Sequence, residues 1–211
     1  MKKQVKLWLS LLLNLTIVAF EVVAFYQGRK MGVEQFQFYT QLSNLLAGVV
    51  CLIFTGFLLR LIRSGVKIPS WCSFLKYTVS IMLAQTFLIS LTFLSIASGS
   101  VAFLMLGPIV RYFHTLCPIL SVVSFLLLDP KMEPFTRQHT MLAMIPTLLY
   151  GTVAIILNIM RVWHGPYPFL YVYEQPLWLS AVWFVTIFGA AFLIAFLLRI
   201  ASCRLHREYV Y

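Results

Sequence analysis

Residues 38–61 read FYTQLSNLLAGVVCLIFTGFLLRL and carry one charged side chain, that of Arg60. A helix needs about 20 consecutive apolar residues to cross the ~30 Å hydrocarbon core of a bilayer. This run meets that length, and most of its polar residues lie in its first two turns. The stretch therefore predicts a transmembrane helix with polar side chains at one end.

The same apolar character runs through the whole chain. Of the 211 residues, 61% are hydrophobic and 10% are charged, and the mean hydropathy is +0.91. Soluble proteins carry about 25% charged residues, so a soluble class is excluded. The runs long enough to cross a bilayer are residues 7–26, 38–61, 75–96, 108–128, 141–160 and 177–200. We therefore predict an all-α polytopic membrane protein, a bundle of six transmembrane helices in one domain spanning residues 1–211.

Basic residues orient this bundle. With the N-terminus inside, 12 of the 16 Lys and Arg residues lie on the cytoplasmic side, which is the bias that the positive-inside rule requires. The cytoplasmic set is Lys2, Lys3, Lys6, Arg60, Arg63, Lys67, Lys76, Lys131, Arg137, Arg199, Arg204 and Arg207, and the outer set is Arg29, Lys30, Arg111 and Arg161. Both termini are predicted to be cytoplasmic. Because topology explains the net charge of +10, no nucleic-acid partner is expected.

Polar side chains collect near the outer ends of the predicted spans. The set comprises Glu21 in the first span, Thr40, Ser43 and Asn44 in the second, Arg111 and His114 in the fourth, and Asn158 and Arg161 in the fifth. Charged groups inside a membrane segment tend to face a cavity and to mark function. We expect these side chains to converge at one depth, under a lid formed by residues 163–169.

Thr40 and His114 are the candidate catalytic pair. A threonine hydroxyl becomes a nucleophile only when a base removes its proton. His114 is the one histidine inside an apolar run, and an imidazole titrates near neutral pH. Each residue also has a structural interpretation, because a threonine can bond a carbonyl one turn back and a histidine can join two helices. Contact between the two side chains decides between these interpretations.

Other polar residues have supporting roles in this hypothesis. Asn44, Ser43 and Asn158 are candidate donors to a developing oxyanion. One intramembrane histidine is too few for a zinc site, which needs about three or four protein ligands. The four cysteines lie singly, without the spacing of a metal site or a disulfide pair. We therefore expect no metal and no other cofactor.

Glu21 has two possible partners. It can orient His114 as the third member of a triad, or it can pair with Arg111 or Arg161. We favour the pairing, because an arginine neutralises a buried carboxylate more simply. Arg111 lies three residues before His114, so the two share a helix face. It can hold a carboxylate or phosphate of a lipid, or extend to the interface as a snorkelling side chain.

Three segments resemble the androgen-induced family of membrane proteins and its bacterial relatives: FYTQLSNLL at 38–46, HTLCP at 114–118 and GPYPFL at 165–170. Members of that family are atypical multi-pass hydrolases that cleave fatty acid esters of hydroxy fatty acids with an intramembrane threonine and a histidine. By position in the motif, Thr40 matches the family threonine and His114 the family histidine. The Ser43–Asn44 segment is closer to the bacterial branch, which implies a bacterial plasma membrane.

The resemblance implies a reaction. Thr40 Oγ would attack the acyl carbonyl of a lipid ester, His114 would carry the proton to the leaving hydroxyl, and water would hydrolyse the acyl-threonine. The expected partners are then membrane lipids and the lipid ester substrate, with the oligomeric state left open. A contact between Thr40 and His114 that opens onto an acyl-sized apolar pocket would favour this enzyme.

The alternative is a non-enzymatic transporter or a lipid or small-molecule sensor that uses the same polar residues as a binding pocket. A transporter usually carries an inverted repeat and helix breaks at mid-span, and the sequence shows neither. A polar path that continues to the cytoplasmic side would favour transport.

Overall fold

The computed structural model describes residues 2–130 and 134–205. Lys131 and the basic tail from His206 onward, both assigned to the cytoplasmic side above, lie outside the described residues. Within the described ranges every regular element is a helix. This confirms the all-α class and, with the long apolar helices below, an integral membrane protein of the multi-pass type.

The described residues form eight α-helices of six or more residues and a three-residue helical turn at Ser95–Ala97, which are joined by loops and by segments of 3-10 or π geometry. In chain order they are α1 Lys2–Gly28, α2 Tyr39–Ser64, α3 Ser70–Ile89, α4 Val101–Leu106, α5 Cys117–Val123, α6 Arg137–Ala143, α7 Ile145–Ile159 and α8 Leu177–Leu205. A 3-10 segment, Arg29–Gln37, joins α1 to α2, and a π turn, Ser90–Leu94, prolongs α3. Two further π turns, Tyr112–Leu116 and Ser124–Leu128, flank α5.

Five apolar helices among the described residues are long enough to cross a membrane. Each is counted together with the helical segments that continue it, so that α1 includes the 3-10 segment after it, α3 includes the π turn after it, and α6 and α7 count as one. The five ranges are Lys3–Gln37, Tyr39–Ser64, Ser70–Ala97, Arg137–Ile159 and Leu177–Leu205. The remaining predicted span corresponds to a shorter apolar segment, Tyr112–Leu128. The count of six spans and the cytoplasmic position of the termini therefore stay predictions.

The short segment is irregular for reasons visible in its sequence. Pro118 has no N–H and cannot bond the carbonyl four residues before it, and a π turn precedes it. Gly107 separates α4 from this segment at a turn that leaves no room for a side chain. A Cβ there would lie 2.5 Å from the carbonyl oxygen of Phe103.

The central helix is α3, the most buried of the five spans, and α8 is the least buried. On one side of α3, Val79 packs in a core with Ile17 of α1, Ala47 of α2 and Cys117 of α5. On the other side, Tyr77 packs with Ala191 and Ala195 of α8 and donates a hydrogen bond to the Ala195 carbonyl. Residues on α3 therefore face both halves of the bundle.

Candidate functional site

A cavity of about 480 Å³ lies in the half of the bundle that contains Thr40, which we call the outer half because it is predicted to be extracytoplasmic. The start of α2, the end of α3, α7, the loop before α8 and the first turns of α8 enclose it. We call it the inner cavity. Aromatic and aliphatic side chains form most of its wall, and no residue lining it is charged. Its chemistry suits an uncharged, largely apolar ligand.

The wall also contains polar side chains, three of which form a small hydrogen-bonded cluster. The hydroxyls of Tyr39 and Thr147 share a hydrogen bond of 2.7 Å, and each is 3.4 Å from Gln85 Oε1. The Gln85 amide is itself oriented, because its Nε2 donates to the Ile187 carbonyl at 3.3 Å. Groups from α2, α3 and α7 therefore converge where a ligand oxygen can replace or join their hydrogen bonds.

Gln85 and Thr147 were not among the site residues predicted from the sequence. Isolated polar residues are common in membrane helices, and a threonine usually bonds its own backbone. Gln85 carried the stronger signal, because a glutamine amide in the middle of a span must find partners inside the protein. Only the packing of α3 against α7 shows that the two side chains meet.

Thr40 lies in the wall of the inner cavity and is 5% exposed. Its Oγ1 is 3.5 Å from the Tyr167 hydroxyl, which also accepts a hydrogen bond of 3.4 Å from the Thr40 N–H. Tyr167 lies in the loop before α8, where burial raises the pKa of its phenol. The hydroxyl is therefore neutral and is not a base for Thr40.

His114 faces a different element. Its Nδ1 lies 2.9 Å from the carbonyl oxygen of Leu104, and a carbonyl only accepts, so Nδ1 carries the proton. The neighbouring Thr115 hydroxyl donates to the Met105 carbonyl at 2.6 Å. Together they satisfy carbonyls at the end of α4 that have no partner within that helix. This arrangement matches the structural interpretation of a histidine that joins two helices.

The expected hydrogen bond between Thr40 and His114 is absent from the contacts of these two described residues. Asn44 nevertheless links Thr40 to the residue before His114, because its Nδ2 donates to the Thr40 carbonyl at 2.7 Å and to the Phe113 carbonyl at 3.2 Å. Ser43 Oγ likewise donates to the Thr40 carbonyl at 2.9 Å. The donors of Asn44 and Ser43 are thus engaged and not directed at a substrate oxygen.

Asn158 holds the loop before α8 in place. Its Nδ2 donates to the His164 carbonyl, and its Oδ1 accepts from the Val172 N–H at 3.3 Å. Residues 167, 169 and 170 of the loop line the inner cavity, as the expected lid would. Arg161 stacks on the Tyr173 ring at 4.6 Å and is exposed. Asn158 therefore positions the loop, and Arg161 does not line the cavity.

The favoured ion pair of Glu21 with an arginine is wrong. Glu21 is 3% exposed, and neither of its carboxyl oxygens has a hydrogen-bond partner among the described residues. Arg111 is exposed and its guanidinium lies 5.2 Å from the Tyr112 ring. A long arginine side chain reaches the interface at less cost than it enters a bundle, which explains the difference. Glu21 instead lies against Gly48 and interacts with the Cys117 thiol.

A second polar cluster lies in the other half of the bundle and centres on Lys76. Lys76 was predicted to be one of the cytoplasmic charges, whereas its side chain is 1% exposed. Its Nζ donates to Asn14 Oδ1 at 2.7 Å and to Cys51 Sγ at 3.1 Å, and it lies 3.9 Å from Asp129 Oδ2. A lysine inside an apolar run is a signal of such a cluster, because a membrane charge needs a partner.

Asp129 is held as firmly as its partner. It is 2% exposed, and its Oδ1 accepts from Ser10 at 2.6 Å, Ser124 at 2.7 Å and Asn14 Nδ2 at 3.2 Å. Ser10 and Asn14 are four residues apart and share a face of α1. No member of this cluster lines the inner cavity, so the two polar regions are separate in the described structure.

Comparisons with known proteins add no relative. No protein-family model, no curated protein and no solved structure matches the chain. The resemblance to the androgen-induced family therefore stays a prediction.

Proposed function

We propose that this protein binds a neutral, single-chain lipid, such as a fatty acid ester, in the inner cavity. The observation that carries the proposal is the cavity itself, whose wall is mostly apolar, contains one hydrogen-bonded cluster of three side chains and has no charged residue. Its volume of about 480 Å³ falls in the range of about 300–1,000 Å³ typical of small-molecule sites.

The polar cluster sets the orientation of the ligand. An ester or hydroxyl oxygen would meet Tyr39, Gln85 and Thr147, and the chain would lie along the aromatic wall that includes Phe169 and Trp183. A free carboxylate or a phosphate would lie there without a counter-ion, which costs several kcal/mol. The ligand class is therefore an ester, alcohol or amide, not a fatty acid anion.

Binding of a radiolabelled long-chain methyl ester to purified protein in detergent micelles tests the proposal. Ala181→Trp fills the cavity from α8, and Val182→Trp is the matched control, because Val182 is exposed and does not line the cavity. We expect Ala181→Trp to weaken binding at least tenfold and Val182→Trp to leave it unchanged. Equal binding by the two variants, or equal competition by the free acid at pH 8, contradicts the proposal.

Hydrolysis of the bound ester is the second candidate function, and the place of Thr40 in the cavity wall favours it. The Nδ1 proton of His114 leaves Nε2 with a lone pair, which is the form a base requires. The family resemblance assigns the same two residues. In this reaction the acyl group passes to Thr40 Oγ, the threonine proton passes through His114 to the leaving alcohol, and water releases the acid. His114 Nε2 would first have to reach Thr40.

Labelling with a fluorophosphonate probe separates hydrolysis from binding alone. Thr40→Ala removes the nucleophile. His114→Asn removes the base but keeps an N–H donor for the Leu104 carbonyl. We expect both variants to bind the ester and to lose labelling. Labelling of Thr40→Ala at the wild-type level refutes the nucleophile assignment and leaves lipid binding as the function.

We also propose the bacterial plasma membrane as the location, on the strength of the bacterial-type segment around Ser43 and Asn44. Under this proposal the inner cavity lies in the outer leaflet. A transport function is less well supported, because the cavity and the Lys76 cluster share no residue.

A further inference from the structure

A second apolar depression, of about 660 Å³, lies between α2 and α7. We call it the lateral groove. Its wall includes Leu46, Leu149 and Val153, of which Leu149 is 62% and Val153 45% exposed. Exposed aliphatic residues on two membrane helices face lipid hydrocarbon, so the acyl chain of a bilayer lipid is the molecule that meets this groove.

Two residues, Tyr39 and Tyr150, line both the lateral groove and the inner cavity. Their rings have centroids 5.3 Å apart and form the wall between the two spaces. One backbone contact tethers Tyr150, whose hydroxyl donates to the Gln37 carbonyl at 2.8 Å. Tyr39 is tethered by its hydrogen bond to Thr147. Rotation of the Tyr150 side chain would break this hydrogen bond and its ring contact with Tyr39, and would remove one of the two side chains that separate the spaces.

The route from water is covered. The loop before α8 lies over the inner cavity with Tyr167 and Leu170 each 5% exposed. Asn158 ties this loop to α7, and Trp163 Nε1 donates to Gln37 Oε1 at 2.9 Å. Opening this cover disrupts the hydrogen bonds of Asn158 and Trp163 together, whereas opening the tyrosine wall at Tyr150 disrupts one side-chain hydrogen bond and the ring contact with Tyr39.

We propose that the lateral groove is the path by which a neutral lipid passes from the bilayer into the inner cavity, with Tyr39 and Tyr150 as the gate. The proposal rests on the lipid-binding function and specifies how the ligand arrives. A ligand that is soluble in the bilayer then reaches its site without crossing water.

Blocking the path should slow association and release of the lipid by the same factor and leave Kd unchanged, because the lipid crosses the same barrier in both directions. Val153→Trp fills the groove. Ile156→Trp is the matched control, since Ile156 lies on the same helix, is 48% exposed and lines neither space. Tyr150→Phe keeps the ring and removes the tether to Gln37.

The experiment follows transfer of a pyrene-labelled long-chain ester from phosphatidylcholine vesicles to the protein in lipid nanodiscs by stopped-flow fluorescence. We expect Val153→Trp to slow association and release at least fivefold each, with Kd within twofold of wild type. Tyr150→Phe should accelerate both rates, and Ile156→Trp should change neither. An unchanged number of binding sites shows that each variant is folded.

Three results overturn the proposal. Equal rates for Val153→Trp and Ile156→Trp mean that the lipid arrives by another route. A weaker Kd for Val153→Trp with an unchanged association rate makes the groove part of the binding site. An absence of ester binding by the wild-type protein refutes the lipid-binding function as well, so the two failures are distinguishable.

Discussion

Replacing Asp129 by Asn tests whether the Lys76 cluster holds the half of the bundle opposite the inner cavity together. Asn keeps an acceptor for Ser10 and Ser124 and removes only the charge. Lys76 then stays 1% exposed with no anion beside it. Two unit charges 3.9 Å apart interact by about 4 kcal/mol at an effective dielectric constant of 20. Removing one partner of a buried pair costs about 3–5 kcal/mol.

The double variant separates charge pairing from packing. Lys76→Met keeps the apolar stem of the side chain, and combined with Asp129→Asn it leaves no buried charge. We expect each single variant to lower the free energy of unfolding by about 3–5 kcal/mol. The double variant should lose less stability than the two single variants lose in sum, and the difference, which is the coupling energy, should be about 2–4 kcal/mol.

Equilibrium unfolding in mixed detergent and SDS micelles, followed by tryptophan fluorescence, measures these differences. Lys67→Met is the control, because Lys67 is exposed. Its effect should stay within about 0.5 kcal/mol. The claim tested is that each buried charge depends on the other. It is refuted if Asp129→Asn is as stable as wild type, or if the double variant is no more stable than the less stable single variant.

Three further variants probe single contacts, each by the same unfolding assay. Gly107→Ala should destabilise by about 1–3 kcal/mol, because its Cβ would lie 2.5 Å from the Phe103 carbonyl oxygen; wild-type stability would mean that this turn relaxes freely. His114→Leu should lower the free energy of unfolding by about 1–3 kcal/mol, because it leaves the Leu104 carbonyl unpaired. His114→Asn should lose much less stability, because its amide can still donate to that carbonyl. Equal losses for the two variants would show that the hydrogen bond contributes nothing to stability. Glu21→Met should stabilise by about 1–3 kcal/mol, because no ion pair among the described residues offsets the burial of this carboxyl; a loss of stability would show that its contact with the Cys117 thiol outweighs the cost of burial.

The candidate site was partly predictable. The polar start of α2 indicated Thr40, and residues 163–169 indicated a cover, and both lie at the inner cavity. The partner of Thr40 was not predictable, because Tyr167 and His114 are both far away along the chain and sequence distance does not rank them. The arginines of the outer ends were also ambiguous, since a snorkelling side chain and a paired one have the same sequence signature.

The composition and the length of the apolar runs by themselves determined that this chain is a helical membrane protein. In hydrocarbon the backbone N–H and C=O groups can bond only to one another, so an apolar run of about 20 residues forms a helix. Tertiary structure alone decided which polar groups meet. It buried Lys76 with Asp129, left Glu21 without an ion-pair partner, and joined Gln85 to Tyr39 and Thr147. The reason is that hydrogen bonds act over about 3 Å, a distance fixed by helix packing and rotation and not by spacing along the chain.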